Sequence, residues 1–98
     1  MISEIDRTSK FKKDLKTYKH DKVILEELNI LLKLILSDSE IPEKYKKHSL
    51  KGQYSGEYDY HIRPNVVLIC HVEGNVLVLS RIGTHNKLGL TEDIFSYL

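Results

Sequence analysis

The apolar residues of this chain change their spacing once, and that change restricts the fold more than any other property of the sequence. Ile24, Leu28, Leu31 and Ile35 recur at helical spacing, with Leu25, Leu32 and Leu36 beside them, so an amphipathic helix is expected from roughly Lys22 to Leu36, capped by Asp21. After a loop at Ser37 to Pro42, the pattern becomes that of strands. Tyr58 to Arg63 alternates, whereas Val66 to Val72 and Val76 to Ile82 are apolar at nearly every position, as strands covered on both faces are. Pro64-Asn65 and Gly74-Asn75 supply the turns between them. Helices followed by a strand meander specify an α+β fold: two N-terminal helices packed on a mainly antiparallel sheet of about four to five strands.

The remaining segments fill in that plan. Ile2 to Asp6 alternates briefly, and Thr8 or Ser9 can cap a first helix carrying Phe11, Leu15 and Tyr18 on one stripe. His48 to Gln53 is a weak strand candidate, and Thr91 followed by Glu92 and Asp93 opens a short C-terminal helix. With 98 residues the chain has material for one core, so residues 1–98 are expected to form a single domain. The net charge is only +1, so any affinity for nucleic acid must come from local clustering, as in Lys10 to Lys22 and Lys44 to Lys51. On the first helix the default reading of these lysines is a solvated face. The single Cys70, among Val67, Leu68 and Ile69, is expected to pack in a strand, which fits a reducing cytoplasm. No run is apolar enough to span a bilayer and the N-terminus lacks a signal-peptide layout, so a cytoplasmic location without membrane contact is expected.

The chemistry concentrates in three imidazoles. A period of two sends Asp59, His61 and Arg63 to one face of their strand, with neighbours about 7 Å apart, within reach of one phosphodiester. Arg81 closes the last apolar strand, and Gly83-Thr84-His85 follows as a turn that can aim His85 back over the sheet end. His48 lies among Lys46, Lys47 and Lys51. Cleaving RNA without a metal needs a base for the 2′-hydroxyl, a cation for the phosphorane and an acid for the leaving oxygen. Histidine suits both proton roles and arginine the cation. The lysines draw phosphate in and repel a positive charge on His48, which suits His48 to the base role, while Asp59 can steady His61. Metal binding is the rival for such a cluster, but no His pair has the helical i, i+4 spacing of a zinc site and the lysines repel cations, so neither a metal nor a cofactor is expected. His20 reads as a helix-end residue and His71 as a satisfied sheet histidine.

The segments YKKHSLKG (Tyr45 to Gly52), EYDYHIRP (Glu57 to Pro64) and SRIGTHNKLG (Ser80 to Gly89), in that order, resemble the YafQ branch of the RelE-type bacterial toxins. The resemblance implies that His48, Asp59, His61, Arg81 and His85 are catalytic, with Lys46, Lys47, Lys51, Arg63, Asn65 and Lys87 as the expected RNA contacts. It further implies a ribosome-dependent, metal-independent mRNA endonuclease that cuts in the ribosomal A site and is held in a hetero-oligomeric complex by a cognate antitoxin. The partners are then the antitoxin, the 70S ribosome and mRNA. Two positions depart from the family pattern. Asn65 stands where an acidic residue is common, and Leu88-Gly89-Leu90 where an aromatic is, leaving Phe95 or Tyr97 to supply a stacking surface. The alternatives are a gyrase-poisoning relative of the same fold, which needs no catalytic histidines, and a catalytically degenerate member that only binds; three imidazoles that titrate near neutrality favour the nuclease.

Overall fold

The computed structural model describes residues 1–90. Five strands, β1 (Glu4–Arg7), β2 (His48–Ser49), β3 (Tyr58–Arg63), β4 (Val66–Glu73) and β5 (Val76–Gly83), form one sheet in the order β1-β5-β4-β3-β2. The meander β2 to β5 is antiparallel throughout, and β1 joins β5 in parallel, with Glu4 opposite Val76 and Arg7 opposite Leu79. Helices α1 (Ser9–Leu15) and α2 (Lys22–Leu36) precede the meander, and a four-residue α3 (His85–Leu88) follows it.

Both long helices begin where the side chains dictate. The Thr8 hydroxyl accepts from the Phe11 N–H at 3.0 Å and donates to the Ser80 carbonyl at 2.8 Å, so one residue caps α1 and ties it to β5. Asp21 accepts from the Ile24 N–H at 3.2 Å. Phe11, Ile24, Leu28 and Leu31 then pack on one face of the sheet against Tyr60, Ile62, Leu68, Cys70, Leu77 and Leu79. On the other face Leu50, Leu88 and Leu90 cover Val67 and Ile69. That double cover is why β4 and β5 can be apolar at consecutive positions, each buried aliphatic contributing about 1.5–3 kcal/mol.

Three local features differ from the sequence expectation. The second strand is only two residues, because Gly52, at φ +66°, turns the chain into a 3-10 turn at Gly52–Tyr54 instead of continuing to Gln53. Register slips in β3 between His61 and Arg63, so Arg63 is exposed and does not simply follow Asp59 and His61 on their face. The segment after Gly83 is not a bare turn but the start of α3, capped by Thr84, whose hydroxyl accepts from the Lys87 N–H at 3.1 Å. The helix expected from Thr91, together with Phe95 and Tyr97, lies outside the described residues. Along α2, Val23 and Ile30 remain about half exposed at 50% and 47%, so its apolar surface is wider than the sheet and first helix cover. Among the described residues no helix is long and apolar enough to cross a membrane.

Candidate active site

The site is assembled where β2, β3 and α3 meet on the sheet face opposite the two long helices. Antiparallel pairing puts His48 directly across from Asp59, and the His48 Nδ1 lies 3.2 Å from the Asp59 Oδ1. Asp59 is fully buried while the His48 side chain is 47% exposed, so the imidazole stands between a buried carboxylate and solvent. Two residues along β3, His61 faces the same way, its ring 5.7 Å from that of His48 in an edge-on arrangement. His85, on the first residue of α3, brings its Nε2 to 3.1 Å from the His61 Nε2.

The position of His85 is fixed by small features around it. A Cβ on Gly83 would sit 3.3 Å from the Leu88 side chain, so glycine lets α3 fold tightly against the end of β5. The Leu88 carbonyl accepts from the Tyr54 hydroxyl at 2.8 Å, and the Leu90 N–H donates to the His85 carbonyl at 2.9 Å. Gly89 ends the helix at φ +73°. At the other side of the site, Lys46 takes a left-handed φ of 43° just before His48, an uncommon conformation for a residue with a side chain.

Burial is the largest influence on His61 and lowers its pKa below the ordinary histidine value; His85 and His48 push the same way, and Asp59 opposes them. That shift favours the neutral form of His61. With the two Nε2 atoms in contact, one carries the shared proton and the other accepts it. Asp59 supports His48 by direct contact and acts on His61 through its charge, whereas the sequence pattern paired it with His61 alone.

The expected phosphate contacts divide. Lys44, Lys46, Arg63, Glu27 and Tyr45 line a cleft of about 360 Å³ that opens on His61, a rim of three cations around one carboxylate. Within it Lys44 is 3.4 Å from Glu27. Arg63 and Asn65 line a second, shallow hollow with Thr84 and Tyr18. Lys51 and Lys87 are exposed. Lys47 turns away: its Nζ lies 4.3 Å from the Tyr58 ring centre and 5.8 Å from that of Tyr60, on the face of β3 opposite His61.

Arg81 is held by a partner that the pattern of the sequence did not bring forward. Its Nε and Nη2 donate to the two oxygens of Asp14 at 2.7 and 3.1 Å, and the same carboxylate accepts from the Ile82 N–H at 3.1 Å. That hydrogen bonding raises the arginine pKa further. Two of the five N–H donors expected to grip phosphate are thus taken by a carboxylate within the protein. A second group missed by the motif reading lies on the same sheet: His71 bonds Glu57 at 2.7 Å and Glu73 at 3.1 Å, and the Ser80 hydroxyl donates to Glu57. Burial alone would lower the His71 pKa, but the two carboxylates outweigh it and raise it.

The sequence model of the YafQ toxins, bacterial toxins of type II toxin–antitoxin systems, matches residues 3–90. The chain belongs to this family. The Escherichia coli K12 mRNA interferase toxin YafQ is 29% identical over 86 residues, which cover 87% of this chain and 94% of that one. The YafQ of the E. coli DinJ–YafQ complex superposes with a TM-score of 0.76 at 28% identity, covering 90% of this chain and 98% of that chain. A metal-bound toxin from Helicobacter pylori gives a TM-score of 0.79 at 30% identity, covering 90% and 99%. A Staphylococcus aureus YoeB–YefM complex, at 22% identity and a TM-score of 0.71, shares the RelE-like fold.

Proposed function

We propose that this YafQ-family toxin is a ribosome-dependent endoribonuclease that cuts mRNA in the A site by metal-free acid–base chemistry and so stops translation. The observation that carries the reading is the convergence of two differently equipped imidazole pairs: His48 on a buried Asp59, and His85 on a half-buried His61. In the first pair the carboxylate fixes one tautomer and stabilises the imidazolium that forms, so His48 takes the 2′-hydroxyl proton. In the second pair His85, in Nε2 contact with His61, delivers a proton to the departing 5′-oxygen. Lys46, Arg63 and Lys44 around the adjoining cleft, with Lys51, Asn65 and Lys87 outside it, bring the backbone phosphates in. Arg81, tied to Asp14, contributes through its placement at the end of β5 rather than as a free phosphate grip. The E. coli relatives named as mRNA interferases, and the complex of one with DinJ, support the activity and a cognate antitoxin as partner.

The test is primer extension on mRNA in a purified translation system, with and without ribosomes, with gyrase supercoiling as the control. Cleavage only with ribosomes, and its survival in EDTA once the ribosomes' magnesium is buffered, is the expected result. Message left intact while supercoiling fails would replace this reading with gyrase poisoning.

A further inference from the structure

The segment that carries His48 has little sheet to hold it, since β2 is two residues long. Just before β2 the chain leaves a 3-10 turn at Glu43–Tyr45 and passes through Lys46 at φ 43° and ψ 60°, a left-handed conformation that a side chain disfavours. Such a conformation persists where its surroundings over-determine it. We propose that Glu27 of α2 is a positioning residue for cleavage: it grips Tyr45 and Lys44, sets the Lys46 turn, and through that turn places His48 and His61 for proton transfer; this role presupposes the nuclease function proposed above.

The Tyr45 hydroxyl donates to the Glu27 Oε2 at 2.9 Å and the Lys44 ammonium to the Oε1 at 3.4 Å, so consecutive residues of the turn engage both carboxylate oxygens. Lys44 also lies 5.0 Å from the Tyr45 ring centre, closing the group on itself. Both ends are anchored. The Tyr45 ring is buried in the helix-side core, and Glu27 belongs to a helix whose Ile24, Leu28 and Leu31 are buried in that same core. A bond from a hydroxyl to an ionised carboxylate is stronger than one between neutral groups. The Tyr45 bond leads the influences that lower the Glu27 pKa, and burial opposes it only in part, so the carboxylate stays ionised. Within three residues of Tyr45 the chain reaches His48 on the other side of the sheet, and Lys46 on the way lines the cleft that opens on His61. Burial lowers the His61 pKa and the Lys46 backbone is one of the groups that oppose it, so the turn bears on both imidazoles. A carboxylate has the wrong sign to hold RNA phosphate, which separates the role of Glu27 from those of Lys46 and Arg63 in the same cleft.

The test is single-turnover cleavage on programmed ribosomes, with ribosome affinity measured alongside and urea unfolding to confirm that each variant is folded. Tyr45→Phe keeps the buried ring and loses only the hydroxyl; it should cleave about tenfold more slowly at saturating ribosomes, with affinity unchanged. Glu27→Ala should slow cleavage similarly while binding ribosomes at least as well as wild type, because it removes an anion from a basic cleft. Glu27→Gln can still accept from Tyr45 and should recover part of the rate. The double variant Glu27→Ala/Tyr45→Phe should be no slower than the slower single variant. In the isolated toxin the His61 titration midpoint, followed by NMR with Asp59, His48 and His85 in place, should fall in Tyr45→Phe as the Lys46 backbone loosens; a bond that only stabilised the fold would leave it unmoved. Wild-type cleavage rates in Tyr45→Phe and Glu27→Ala would overturn the role. So would losses of ribosome affinity that account for the losses of cleavage, which would make Glu27 a binding residue. If the wild type never cleaves message under any condition, the His61 midpoint decides alone: a fall in Tyr45→Phe keeps the brace and refutes the nuclease, and no movement overturns the brace.

Discussion

Removing Arg81 should unfold this protein more than it slows it. Asp14 is 5% exposed and sits in a bidentate contact with the guanidinium. Arg81→Ala leaves that carboxylate with the Ile82 N–H and no counter-charge. Breaking a buried pair from one side costs about 3–5 kcal/mol, and the arginine side chain is 22% exposed, which favours the lower end, about 3 kcal/mol. For a domain of this size that is a fall in Tm on the order of 12–24 °C, at about 4–8 °C per kcal/mol. Urea unfolding of the isolated toxin, at a pH where Asp14 is ionised, measures it directly. Arg81→Lys restores charge without the fork and should recover only part of the loss. The double variant Asp14→Leu/Arg81→Met removes both charges and should be more stable than Arg81→Ala, with a coupling term that isolates the pair. A solvated phosphate-binding cation would behave otherwise, its removal costing within about 0.5 kcal/mol. A loss of that size, with cleavage down by orders of magnitude, would refute the argument and return Arg81 to the phosphate.

Three further outcomes follow from the same geometry. His85→Gln should lose at least about a hundredfold in single-turnover cleavage while ribosome and antitoxin affinity stay near normal, because the amide keeps hydrogen bonding but carries no transferable proton; equal losses in binding and cleavage would make His85 a positioning residue. The raised His71 pKa means that its bonds to Glu57 and Glu73 stabilise the fold fully below about pH 6.5 and progressively less as pH climbs through the folded-state value. His71→Gln should therefore cost more stability at pH 6 than at pH 9, and a gap independent of pH in urea titrations would count against the pairing. Burial pushes the Cys70 thiol up to about 12, so Cys70 should resist iodoacetamide at pH 8 in the native protein and react promptly in urea; rapid native alkylation would contradict its packing in β4.

The strands and helices were legible because each satisfies a local rule: Asp21 caps, Gly74-Asn75 turns, and the Tyr58 to Arg63 alternation separates Tyr60 and Ile62 in the core from Asp59 and His61 opposite. The three imidazoles were legible as a group through their motifs. Their pairing was not, since it depends on which residue of β2 faces which of β3, and on α3, whose four residues are too few to leave a periodic trace. The β3 bulge that diverts Arg63 has no sequence mark of its own. Asp14 did leave one: it lies between Phe11 and Tyr18 on the apolar stripe of α1, and a carboxylate in such a stripe needs a cation. That cation was Arg81, visible at the far end of the chain but assigned to a ligand.

The parallel pairing of β1 with β5 gives the order of synthesis a physical meaning. The first strand made can only be placed once nearly the last segment of the chain exists, and His85 comes later still. A nascent chain that has not reached residue 85 lacks His85 and so lacks the full set of imidazoles. On the function proposed above, a nascent chain that still lacks His85 lacks the second imidazole pair and cannot cut the message from which it is being made.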